Sequence, residues 1–305
     1  MEDIRSIIYN VKSPDSYQRV DASNIVAWYV GIDGKSRPSL FCITHEKPCH
    51  LSPSRLVDVF VGQRKDSKYG ITFSLIGEQS KDLFLHFCYD MIEHSRFVTS
   101  PERDANIICA RYIQWQKAFI KNNGNILTFE EIKGLIGELI VLKDVMIPKY
   151  GEEVALKGWM GIEQTDQDFT YDDFWYESKT CVSGSASVKI SSIEQLDTDR
   201  FGYLAVSVLD KTSEADSDRI TLNSIVDTVK ELLKSKVLKE QFVDRLMDFG
   251  YIKDDRYDGI CFRHEGTNLY RVDSTFPCIR DSHVPDATIN VKYELLLASI
   301  ESYKE

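Results

Sequence analysis

"DFTYDDFWYESKT", residues 168–180, sets four carboxylates and one lysine among aromatic residues that otherwise read as β-strand. Aromatic and β-branched side chains suit a half-buried pleated surface, whereas like charges directly opposed in a sheet destabilise it. Asp172 and Asp173 stand side by side between aromatic residues, a composition that suits a tight turn. A two-residue loop there sets Phe169 opposite Tyr176 and Asp168 opposite Glu177. The period of two then puts Lys179 on the Glu177 face, about 6.5–7 Å further along the strand. A loop longer by one residue would move Asp168 off that face, but the relation of Glu177 to Lys179 survives any register. Two carboxylates and an ammonium on one sheet surface make the kind of oxygen site that hard divalent cations such as Mg²⁺ prefer. A solvated sheet edge can carry the same spacing, so spacing alone leaves both readings open.

A second stretch bears on that choice. In "GLIGELIVL", residues 134–142, Glu138 is the single polar side chain, and apolar residues or glycine cover every direction around the helix. A helix apolar all round is buried, and a buried glutamate needs a partner or a metal. Gly134 and Gly137 are expected to let this helix approach a sheet closely and bring Glu138 to the other carboxylates. Escape of Glu138 to solvent at a helix edge is the alternative.

Around these stretches the pattern is mixed α and β. Residues 1–77 read as a β-rich module, with a hairpin around Gly31 to Pro38 in "NIVAWYVGIDGKSRPSLFCITHE" and a strand at "YGITFSLIG". Helical spacing at Lys81–Arg96 and Pro101–Lys121 makes 78–125 a helical connector. The remainder, 126–305, starts with a capping box of Thr128 and Glu131 ahead of "FEEIKGLIGELIVLKDVMIP", where Pro148 is expected to end the helix. Strands at "SASVKISS" and "FGYLAVSVLD" follow, then helices near 221–236 and 239–249 and late strands near 268–275 and 288–299.

Composition narrows the functional classes. The 305 residues are 43% hydrophobic and 28% charged, ordinary globular values that allow about two domains. The seven scattered cysteines look like reduced thiols, and with no cleavable leader or 18-residue apolar run they point to a cytoplasmic protein without a membrane partner. A net charge of −11 repels nucleic acid, so such a partner requires a local basic surface or a bridging cation.

Glutamate on a helix, then aspartate, then Glu-x-Lys on the next strand is the order of the PD-(D/E)XK, or restriction-endonuclease-like, superfamily. The chain resembles that superfamily through Glu138, Asp168 and Glu177-Ser178-Lys179. More closely, "GLIGELIVLKDVM", "GWMGIEQTDQDF", "YESKT", "ISSIEQL" and "NVKYELLLASI" resemble a bacterial family of PD-(D/E)XK proteins encoded in phage-defence neighbourhoods. The likeness covers most of the chain, with its diagnostic motifs in the middle third. It implies an α/β (α+β) fold in which a mixed central sheet is flanked by helices, with the nuclease-like domain at 126–305.

The resemblance implies roles as well. Asp168, Glu177 and the Ser178 backbone carbonyl would hold Mg²⁺, or Mn²⁺ in its place, with Glu138 binding through water. Lys179 would orient or deprotonate the attacking water and stabilise charge on the phosphate. Gln195 stands where relatives place a further active-site glutamine, and Gln167 replaces the motif's proline. The activity implied is Mg²⁺-dependent DNA endonuclease chemistry in a bacterial restriction or phage-defence system, with DNA as substrate, an ATPase or helicase as partner protein and a homodimer for double-strand cutting. The alternative is a catalytically inactive DNA- or protein-binding subunit, which would be expected to have lost one of the four groups. An acidic scaffold without metal-dependent behaviour is a third reading.

Other signals carry less. Cys42, His45, Cys49 and His50 are four potential zinc ligands in nine residues, but Cys42 lies in an apolar strand pattern and extended neighbours such as Cys49 and His50 point to opposite faces. "GIDGKS" ends like a phosphate loop yet has Tyr29 where the first glycine is required. Lys189, Arg200, Lys211 and Arg219 are the basic residues available near the acidic stretch. Trp115 and Trp159 read as core.

Overall fold

A computed structural model describes residues 4–7, 13–77, 80–121, 126–159 and 166–305. The chain divides into two compact units, Met1–Ile126 with Leu246–Lys253, and Leu127–Arg245 with Asp254–Glu305.

The first unit contains five antiparallel strands in the order β1-β2-β3-β5-β4, where β1 is Ser16–Val20, β2 Ala27–Ile32, β3 Pro38–Thr44, β4 Val57–Gln63 and β5 Tyr69–Leu75. The β2–β3 hairpin lies where the sequence puts it. Its loop is closed by Asp33, whose carboxylate accepts from the backbone N–H groups of Lys35 and Arg37, both at 2.9 Å. That stretch is a turn and not a phosphate cradle. Strands β1 and β4 escaped sequence reading because both are sheet edges without clean alternation of buried and exposed positions. Buried Trp28, Val30, Leu40, Ile71 and Phe73 form the core with helix α1 (Lys81–His94) and helix α2 (Asp104–Lys121), where Phe87 meets Phe73 and Trp115 edge-on. His45 has both ring nitrogens engaged, one by Asp104 at 2.9 Å and one by Lys68 at 2.8 Å. With Cys42 fully buried, no zinc site forms from these residues.

The second unit is mixed α/β. It opens with helix α3 (Phe129–Val141), whose capping box is formed: the Thr128 hydroxyl accepts from the Glu131 N–H, and the Glu131 carboxylate accepts from the Thr128 N–H. The central sheet has the order β10-β9-β7-β6, from β6 (Phe169–Thr170), β7 (Trp175–Cys181), β9 (Gly202–Lys211) and β10 (Phe262–Val272). Strand β7 runs antiparallel to β6 and parallel to β9, and β9 runs antiparallel to β10. The expected strand near 187 is β8 (Ser187–Ile190), which pairs with β11 (Tyr293–Leu296) in a separate two-stranded sheet. Trp175, Leu204 and Val206 of the central sheet share one buried cluster with Val188, Ile190 and Leu295 of the small sheet. Burial of each large apolar side chain there contributes about 1.5–3 kcal/mol. Helix α3 packs on β7 and β9 and against α6 (Leu222–Leu232). Helix α7 (Lys236–Phe249) follows.

Two expectations are corrected. Pro148 does not end the helix: a π-turn at Leu142–Met146 leads into helix α4 (Ile147–Tyr150), and helix α5 (Glu152–Gly158) follows. The wider turn leaves Pro148 in the first turn of a new segment, where its missing N–H is not needed. The chain instead breaks at Gly151, which takes φ of +80°. Gly134 is not a contact glycine either. A Cβ at Gly137 would meet Thr180 Cγ2 at 2.3 Å, whereas a Cβ at Gly134 meets nothing within 4 Å. Gly137→Ala is therefore expected to destabilise the protein by about 1–3 kcal/mol through overpacking, and Gly134→Ala to stabilise it by up to about 1 kcal/mol through helix propensity. Urea denaturation of both variants checks the pair; equal effects would show that α3 does not approach β7 at Gly137.

Candidate active site

The β6–β7 turn organises the site. Phe169 pairs with Tyr176 and Thr170 with Trp175, and the Tyr171 N–H donates to the Phe174 carbonyl at 3.0 Å, so Asp172 and Asp173 form the loop. Arg200 holds it from behind, its guanidinium donating to the carbonyls of Tyr171 and Asp172. Asp168 lies one residue before β6. Its carboxylate accepts from the Ser178 N–H at 2.8 Å, which fastens it to the strand that carries Glu177 and Lys179.

Glu177 is fully buried. Its Oε1 lies 2.5 Å from Lys179 Nζ, and its Oε2 is buried without a hydrogen-bond partner. A buried acceptor left unpaired costs about 1–3 kcal/mol, and more if charged. Glu138 is 8% exposed and accepts a hydrogen bond at 2.9 Å from the indole N–H of Trp159. The sequence reading of a buried glutamate on an all-apolar helix face is what the structure shows.

The four ionisable groups feel one another. Burial, then the Asp168 charge, raises the Glu138 carboxyl well above its usual range, against the Trp159 hydrogen bond. Burial, then Asp168, pushes Glu177 up to about 8, although Lys179 opposes the shift. Burial raises Asp168 too, while Lys179 and the Ser178 N–H pull it back. Burial alone would lower Lys179, but the Glu177 and Asp168 charges outweigh it and hold the ammonium above its ordinary value. Three acids share one cation in a desolvated space, so further positive charge would be welcome there. Oxygen ligands, an orphaned carboxylate oxygen and excess negative charge fit a hard divalent cation. Asp168 and Glu177 are the groups suited to direct contact.

The structure gives the other expected members the following partners. Gln195 accepts from the Ser191 N–H at 2.9 Å, a bond within its own loop. Gln167 is buried and donates to the Glu194 carbonyl at 2.7 Å, so it ties the approach to Asp168 to the Gln195 loop. Of the basic residues, Arg219 donates to the Asp216 carbonyl, Lys211 lies 6.0 Å from the Phe129 ring centre and Lys189 is exposed. Trp159 was read as core, and it is fully buried, but its indole also orients Glu138. It forms an isolated bridge with Phe169, next to Asp168, and its carbonyl accepts from Arg245. No sequence signal separates such a tryptophan from a packing one, because its partner is 21 residues away on another element.

With this geometry in view, a family described as "Putative PD-(D/E)XK family member, (DUF4420)" matches residues 10–298. No curated relative and no solved structure matches the chain. Among the described residues, no helix is long and apolar enough to cross a membrane.

The carboxylate shifts carry a pH signature. A folded-state value above the unfolded one means that the native protein binds the extra proton, so the Glu177 contribution is present at low pH and is lost as pH rises from about 4.3 through about 8. In EDTA, melting temperature is expected to fall across this window, and to fall less in Glu177→Gln. Cations compete with protons for the same oxygens, so Mn²⁺ should raise the melting temperature more at about pH 9 than at about pH 6, and not at all in Asp168→Ala. Differential scanning fluorimetry reads all three effects, and cation stabilisation that survives in Asp168→Ala would remove this site from consideration.

Proposed function

The chain belongs to that PD-(D/E)XK family, and on this premise we propose that it is a Mg²⁺-dependent DNA endonuclease serving a bacterial restriction or phage-defence system. Members of the superfamily are usually nucleases. The observation that carries the reading is the buried, unpartnered Oε2 of Glu177, in the electrostatic field of Asp168 and Glu138.

Asp168, Glu177 and the Ser178 carbonyl would hold the cation, with Glu138 acting through a water. A divalent ion so held supplies an activated water and neutralises charge on the phosphate. The chain's own groups divide the remaining work. Lys179 stays protonated beside Glu177, which suits it to orient the attacking water by donating a hydrogen bond and to stabilise the charge that develops on the phosphoryl oxygens. It is poorly suited to start as the base, because its proton is held more tightly than in free lysine. Trp159 holds one oxygen of the Glu138 carboxylate by a hydrogen bond, which would help to place any water that Glu138 binds. Two such sites, from a homodimer or from repeated encounters, would be needed to sever both strands of a duplex, and an ATPase or helicase could deliver the substrate.

Plasmid nicking tests the proposal. With Mg²⁺ or Mn²⁺, and with neighbouring-gene products added where the chain alone is silent, wild type is expected to relax supercoiled DNA. Lys179→Ala should slow cutting by at least about 10²-fold, and Glu177→Gln should do the same. Equal nicking by wild type and Lys179→Ala would defeat the assignment.

A further inference from the structure

The face of β7 opposite Glu177 carries a second constellation. Lys149 donates from Nζ to the Tyr176 hydroxyl at 3.1 Å, and the Tyr150 hydroxyl lies 3.2 Å from the same oxygen. The Lys149 ammonium is also 5.2 Å from the ring centre of Tyr203, 5.4 Å from that of Tyr150 and 5.9 Å from that of Tyr176. Three rings therefore hold one ammonium by cation–π attraction. Lys149 is exposed, and among the described residues no carboxylate pairs with it.

The rings continue outward. Tyr176 stacks on Tyr203 at 4.8 Å, and Phe174 stacks on Tyr171 at 4.6 Å and on Tyr150 at 5.1 Å. Phe201 lies 6.4 Å from Phe174 and 6.1 Å from Tyr203. It is 43% exposed, and the Arg271 guanidinium sits 6.0 Å from its ring centre. A large exposed phenylalanine beside a guanidinium is poor packing and good ligand chemistry. Aromatic faces that accept bases, beside cations that track a phosphate backbone, are the two components of single-strand recognition.

We propose that Lys149, Phe174, Phe201, Tyr203 and Arg271 form a docking platform for an unpaired nucleic-acid strand, on the face of the central sheet opposite the carboxylate site. This rests on the phosphodiesterase reading above and adds the state of the strand that the protein holds: unpaired. Duplex DNA buries its base faces, so ring stacking selects a frayed or single strand. The platform also supplies the local cations that a net charge of −11 makes necessary. Its acidic neighbours are Asp172 and Asp173 at the turn, Glu305 beside the Tyr203 hydroxyl, and Asp273, which lies 3.7 Å from the Arg271 guanidinium.

Fluorescence anisotropy of the full chain with labelled oligothymidine, and with a duplex of equal length, tests this in EDTA, where cutting cannot intervene. Wild type should bind the single strand more tightly, with a log–log salt slope of about −1.4 for two phosphate contacts. Phe201→Ala and Lys149→Ala should each weaken binding by about fivefold or more, while Lys149→Arg retains most of it. Both alanine variants should keep cation-dependent thermal stabilisation, which shows that fold and carboxylate site are intact. Absence of strand binding by wild type, preference for duplex, or unchanged affinity in both alanine variants would each overturn the platform and leave the plasmid test of nuclease activity standing. Strand binding lost in the variants, with no cutting under any condition, would keep the platform and sink the nuclease.

Discussion

Glu177 gives up its water to lie beside Asp168, on a strand whose neighbours are Trp175 and Tyr176, and no apolar surface can compensate an ionised carboxylate for that loss. Lys179 offsets part of the cost through one oxygen and leaves the other without a partner. Glu138 enters the same field from helix α3 and raises the energy of the fully ionised state further. The fold tolerates this because β7 is central, flanked by β6 and β9, and the main chain at Ser178 binds Asp168 directly. A buried, partly satisfied charge cluster is a liability for stability, and its presence on a central strand of a well-packed sheet is the physical argument for chemistry there.

The surroundings of that cluster serve its geometry. Gly137 lets α3 approach Thr180 of β7, which lowers Glu138 towards the sheet. Trp159 then fixes the carboxylate from the side and, by its backbone bridge to Phe169, ties the same segment to the strand that starts just after Asp168. Arg200 braces the turn, and Gln167 braces the approach to it. None of these residues need contact a substrate, yet each limits how far the acidic groups can drift apart under their own repulsion.

Charge is distributed with similar economy. The chain as a whole is acidic, and the basic residues nearest in sequence to the motif are engaged with backbone carbonyls, set over a ring or exposed. Lys149 differs because three tyrosine rings hold its ammonium without neutralising it. Aromatic confinement restricts a cation while leaving its charge available, which an ion pair would not do. Placement of that cation on one face of β7 and of Glu177 on the other follows from the pleat.

The local features were legible from the chain alone. The hairpin loop at Asp172–Asp173, the capping box of Thr128 and Glu131, and the Glu177–Lys179 pairing all follow from periodicities and turn chemistry that act over a few residues. Burial of Glu138 was legible too, because an all-apolar helix has no wet side. Edge strands β1 and β4 are hidden by the loss of alternation that edges permit, and the place of Pro148 inside a new helical segment depends on a π-turn upstream that propensity does not encode. Only tertiary structure decided which of Gly134 and Gly137 touches the sheet, that Trp159 orients Glu138, and that Lys149 meets Tyr176 and Tyr203. Those contacts join residues far apart in the chain, and their geometry depends on how a whole helix is rotated and shifted against a whole strand, a quantity no short window of sequence contains.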